Sequence, residues 1–147
     1  MEIKTYVNTV RWTEKKKGII EFEDEKKGTL ETAVAPEFMG HPHILTPEDL
    51  FVSSINSCFM SYFLSVAEKM RLRFLSYRSE AHGILKPDGI DYIFTDITID
   101  VYVSVRDERE MKKAKRALAM AEEGCYVANS LTATVTVTPH ITLEEQD

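Results

Sequence analysis

The chain has 147 residues, 44% of them apolar and 29% charged, with a formal net charge of −6. That length suits one folded domain, residues 1 to 147, with a core that needs no disulfide or metal staple. The acidic balance argues against nucleic acid as a partner, because that requires clustered positive charge. The one basic run, Lys15-Lys16-Lys17, sits among Glu14, Glu21, Glu23 and Asp24 and reads as a solvated turn.

Residues 3 to 12 (IKTYVNTVRW) are rich in β-branched and aromatic types and predict a strand. Lys15 to Gly18 turn the chain, residues 19 to 23 form a second strand, and residues 29 to 34 a third, giving an N-terminal meander. The stretch APEFMGHPHIL follows as a loop broken by Pro36, Gly40 and Pro42. In it His41 and His43 flank Pro42, with Glu37 close by. No spacing fixes a third ligand, so a surface loop is expected here rather than a metal site.

A helix should begin at TPED. Thr46 can cap it, Pro47 suits its first position, and Asp49, three residues after Thr46, approximates a capping box. Glu48 and Asp49 also set negative charge against the positive end of the helix dipole. The helix should run to about Arg71. Its uncharged stretch, Phe51 to Ala67, is shorter than the roughly 20 residues a bilayer requires. That stretch also holds five serines and an asparagine, so a helix buried in protein is expected instead of a span. It is apolar or small on every side, and one small domain struggles to cover such a helix all round; a second subunit could supply the cover.

Residues 73 to 85 and 90 to 105 predict two long strands around the turn KPDG. In the second, Ile97, Ile99, Val101, Val103 and Val105 share one face, while Thr98, Asp100, Tyr102 and Ser104 share a solvated one. Residues 107 to 123 predict a charged amphipathic helix with Met111, Ala114, Leu118 and Ala121 inward and Gly124 as its C-cap. CYVANSL and a last strand, residues 132 to 143, complete an α+β order of β-β-β-α-β-β-α-β. Glu2 and Lys4 follow Met1 with no apolar leader, so a cytoplasmic protein with reduced thiols is expected.

The two cysteines, Cys58 and Cys125, are too far apart in sequence for a zinc pair. A cysteine on an apolar helix is usually an inert small hydrophobe. Here Ser54, Ser57 and Ser61 surround Cys58 with a polar or roomy patch. A short helical turn over YVANSL would place Cys125 near a helix N-terminus, where the dipole favours a thiolate. Glu48 lies ten residues before Cys58 on the same side of the helix. The two are roughly 15 Å apart along the axis, so Glu48 can act on the sulfur only through a cation that it anchors.

TPEDLFVSSINSCF, residues 46 to 59, resembles the signature of the OsmC/Ohr family, the osmotically inducible and organic hydroperoxide resistance proteins. That signature opens on Asn/Thr-Pro-Glu-x-Leu and places a cysteine ten residues after the glutamate. GCYVANSL, residues 124 to 131, resembles the family's second motif, Cys-Pro-x-Ser-x-x-Leu, which follows a charged helix. The order of elements is similar as well, so the resemblance covers nearly the whole chain.

The resemblance implies an intertwined homodimer, its two long central helices enclosed by sheets from both chains. The implied activity is thiol-dependent reduction of organic hydroperoxides, with no cofactor and with a dithiol, such as a lipoyl group, as electron donor. Carried over by position, Cys58 resembles the peroxidatic cysteine, Cys125 the resolving cysteine, and Glu48 the carboxylate that holds an activating arginine. Phe51, Phe59, Phe63, Phe38 and Met39 are candidate apolar walls for the substrate.

Two departures stand out. Arg11 is the only arginine ahead of Glu48, earlier than the family arginine falls, so the cation is Arg11, a lysine of 15 to 17, another residue such as Arg78, or absent. Tyr126 and Ala128 stand where the second motif has proline and serine. A non-catalytic dimer of the same fold that binds a small apolar ligand between its subunits is the alternative.

Overall fold

In the computed structural model, which describes residues 1 to 144, the N-terminal meander is an antiparallel sheet of β1 (Asn8–Glu14), β2 (Lys17–Phe22) and β3 (Thr29–Ala33), with β2 central. β1 begins later than its composition predicts. Its partner β2 ends at Phe22, opposite Asn8, so residues 3 to 7 have no ladder to join beyond the single bond from the Glu23 amide to the Val7 carbonyl. Asp24 then caps a 3-10 turn, Glu25–Lys27. The loop after β3 carries a second such turn, Pro36–Phe38, and returns to the sheet where Ala33 donates to the Leu45 carbonyl at 2.9 Å.

The predicted capping box is formed. The Asp49 amide donates to Thr46 Oγ1 at 3.1 Å, and the Thr46 amide and hydroxyl both reach Asp49 Oδ2 at 3.0 Å. The helix that starts there, α1 (Pro47–Met70), is 24 residues long and ends one residue from the expected place. By length and composition α1 could cross a membrane, but its Ile55, Phe59, Phe63, Val66 and Ala67 are packed in the protein core.

The chain forms two compact units that divide after Phe51. The second is built on a sheet in the order β4 (Ser76–Asp88), β5 (Asp91–Val105), β6 (Thr134–Leu143), with β4 antiparallel and β6 parallel to β5. α2 (Glu108–Gly124) and the single turn α3 (Tyr126–Asn129) connect β5 to β6, and α2 packs on both strands. The β4–β5 turn is tighter than KPDG suggests. Lys86 and Pro87 stay in the ladder, and the chain reverses over Gly89, at φ +65°, and Ile90. Pro87 and Pro139 are tolerated because β4 and β6 are edge strands.

The β5 alternation holds. Ile97, Ile99, Val101, Val103 and Val105 are all buried, each worth roughly 1.5–3 kcal/mol. Ser104, expected to be solvated, is buried as well and bonds the Ser76 hydroxyl. On α2 the inner stripe is Ala114, Ala117, Leu118 and Ala121, with Met111 half-buried at its edge. Asp107 caps this helix by accepting from the Glu110 amide at 2.9 Å.

Candidate active site

α1 presents Cys58 half-buried, and the junction of α2 and α3 presents Cys125 fully buried, 1% exposed. Both thiols are free, and they lie close enough to hydrogen-bond and to feel each other's charge. The fold therefore closes the gap of 67 positions that separates them in sequence.

Burial pushes the Cys125 thiol above its ordinary range, and the neighbouring Cys58 adds to the rise. The backbone amides of Ala128 and Val127 pull the other way without overcoming it. This corrects the expectation of a dipole-stabilised thiolate at Cys125. α3 is four residues long and offers only a fragment of a helix dipole, whereas desolvation acts on the whole sulfur.

Beside Cys125 is a cavity of about 160 Å³ lined by Ile55, Phe59, Ile99, Ala128, Ala133, Val135 and Val137, with Glu122 and Asn129 as its polar members. Phe59, a predicted wall, thus stands beside the thiol pair. Phe63 is core, stacked on Tyr77 at 5.2 Å and tilted against Phe74 at 5.5 Å. In the first unit Phe38 ends a 3-10 turn and is half-buried, Met39 is 81% exposed with φ +63°, and Phe51 is half-buried. The serines expected to line a patch around Cys58, Ser54, Ser57 and Ser61, are exposed; Ser61 Oγ donates to the Ser57 carbonyl at 3.0 Å, and Ser65 Oγ, one turn further on, to that of Ser61 at 3.1 Å.

Glu48 occupies the first turn of α1, and its Oε2 is buried with no hydrogen-bond partner among the described residues. Such an orphan is rare and calls for a partner. Arg11 does not fill the role here. Its guanidinium forks onto Glu21 across β1 and β2, donating from Nε at 2.9 Å and from Nη2. Arg78 lies over the Tyr102 ring, 4.1 Å from its centroid. Lys16 donates from Nζ to the Met39 carbonyl at 3.1 Å and from its amide to His41 Nε2 at 3.3 Å, so His41 serves the loop. Among the described residues no three His, Cys, Asp or Glu side chains gather as metal ligands.

Gly124 is not the C-cap of α2. It is instead the last helical residue, and Cys125 follows in an extended conformation. Glycine is needed for close approach, since a Cβ at 124 would overlap the ring of Tyr62. Tyr62 in turn meets Tyr126 edge-on, with ring centroids 5.9 Å apart. Nothing in the pattern of residues singles out Tyr62 beyond its place one turn after Cys58.

The OsmC-like protein family model matches residues 40 to 140. The chain belongs to the OsmC-like protein family. Its fold is similar to that of an OsmC-like protein of unknown function from Vibrio cholerae, at 22% identity and a TM-score of 0.80 over 94% of this chain and 100% of that one. It is similar also to an organic hydroperoxide resistance protein OsmC from Legionella pneumophila, at 18% identity and a TM-score of 0.70 over 97% and 100%. A third is the organic hydroperoxide resistance protein OhrB of Bacillus subtilis, at 20% identity and a TM-score of 0.66 over 94% and 98%. At these identities the likeness is one of fold. No curated protein matches the sequence significantly.

Proposed function

We propose that this OsmC-like protein is a thiol-dependent peroxidase for organic hydroperoxides, working through Cys58 and Cys125. The observation that carries the reading is the pairing of two sequence-remote thiols, one half-exposed and one shielded. The Cys58 thiolate attacks the terminal peroxide oxygen. An S–O bond forms, the O–O bond breaks, and the alkoxide takes a proton and leaves as the alcohol. Cys58 is then a sulfenic acid. The Cys125 sulfur displaces its hydroxyl, which departs as water with the thiol proton, and a disulfide closes before further oxidation. An external dithiol, such as a lipoyl group, reduces that disulfide and becomes a disulfide itself.

Phe59, Ile55 and Ile99 in the wall of the cavity beside Cys125 favour an organic peroxide over a small hydrated one. We assign Phe51, Phe38 and Met39 to substrate contact as well. The orphaned Glu48 oxygen suits a guanidinium that steadies the thiolate and the departing alkoxide. We assign that cation to Arg11, which must then exchange Glu21 for Glu48. Its present pair is exposed, and such pairs are worth only about 0–1 kcal/mol, so the exchange costs little. The working assembly is a homodimer in the cytoplasm, where a dithiol donor is at hand.

The test is peroxide consumption by the reduced protein with cumene hydroperoxide and dithiothreitol. Wild type turns over, Cys58→Ser does not, Cys125→Ser accumulates a trappable sulfenic acid, and Arg11→Ala is slowed. The second reading, a non-catalytic dimer that holds a small apolar ligand, draws on the Arg11–Glu21 pair and the cavity. Absence of peroxide consumption by wild type at every pH tested would favour it.

A further inference from the structure

A cleft of about 490 Å³ lies where α1 ends, β4 approaches, β5 ends and α2 begins. It is lined by Arg71, Arg73, Arg106, Arg109 and Lys113, against only Asp107 and Glu110. Five of the chain's 18 basic residues thus gather at one place on a protein of net charge −6. Both carboxylates are already engaged. Asp107 accepts from the Glu110 amide, and Glu110 accepts from the Arg73 amide at 2.9 Å and lies 3.9 Å from Lys113 Nζ. Lys113 also donates to the Arg71 carbonyl at 3.4 Å. Among the described residues no ion pair engages the guanidinium of Arg71, Arg73 or Arg109.

One feature makes this more than a solvated face. Lys113 and Glu110 form a part-buried floor, their side chains 20% and 12% exposed. Guanidinium clusters without counter-ions repel one another, and a bound anion removes that repulsion.

We propose that this cleft binds a small molecule carrying a di- or triphosphate group. Arginine forks offer paired N–H donors that match phosphate oxygens, and several forks converging in one concavity suit a chain of phosphates better than a single charge. The volume falls within the roughly 300–1,000 Å³ of small-molecule sites. The cleft contains neither thiol, so this inference does not depend on the peroxidase reading.

The test is isothermal titration calorimetry on the full reduced chain at about 150 mM salt, where weak surface attraction is screened. The titrants are inorganic tripolyphosphate, ADP and citrate. Tripolyphosphate and ADP should bind saturably at one site, citrate more weakly, and Cys58→Ser should bind as wild type does. Arg73→Ala and Arg109→Ala should each weaken binding about tenfold, the loss expected for one charge-assisted contact, with unchanged circular dichroism and a ligand-free melting temperature no lower than wild type. No saturable binding, equal binding of citrate, or undiminished affinity in both variants would overturn the proposal.

Discussion

At the scale of single residues, chemistry turns on how differently the two sulfurs are housed. Cys58 is half-exposed on α1, while Cys125 is sealed and held in its neutral form by burial. A thiol whose folded pKa is raised stabilises the fold fully below its unfolded value. That contribution is lost as pH rises from about 8.5 through the folded value, because the unfolded chain ionises first. The urea midpoint of the reduced protein should therefore fall between about pH 8 and about pH 10 more steeply than that of Cys125→Ala; equal slopes would remove burial as the controlling influence. Both cysteines could be picked out from their motifs, but the protonation of Cys125 could not. It depends on Ile55, Phe59 and Ile99, which line the adjoining cavity from elsewhere in the chain.

At the scale of elements, local chemistry was the most readable part of the sequence. The Thr46–Asp49 box fixed the start of α1, and Thr46→Ala should cost about 1 kcal/mol in urea unfolding. Strand existence was legible from composition, but strand ends were not, because they depend on where a partner stops. β1 could not begin at residue 3 once β2 ended at Phe22. Gly124 was misread as a cap because its constraint comes from Tyr62, on another helix. In Gly124→Ala the tyrosine ring, the mobile end of its side chain, must swing aside. Stability should fall by about 1 kcal/mol, the low end for an overpacked site. Loss of the Tyr62–Tyr126 contact should also alter the rate at which the disulfide closes. Tyr62→Ala in the same chain should recover part of the stability, a comparison that chemical denaturation and stopped-flow oxidation both make.

At the scale of the whole molecule, α1 is the element that one chain leaves unfinished. Only 28% of its most apolar stretch is buried, and Met60 and Leu64 stand 37% and 40% exposed. A second copy is the cover we assign to it. Light scattering without detergent should give twice the chain mass, and Leu64→Glu should shift it toward the monomer. The need for such cover was legible in a helix without a charged face; that its serines serve the helix itself was not, because Ser61 and Ser65 bond carbonyls one turn back rather than a neighbouring group. The most direct test of the central claim is intact-mass spectrometry of the reduced protein after one equivalent of cumene hydroperoxide, with peptide mapping. The expected product is lighter by two hydrogens and carries a Cys58–Cys125 cross-link. A protein whose two thiols both remain open to alkylation, with the peroxide unspent, would contradict it.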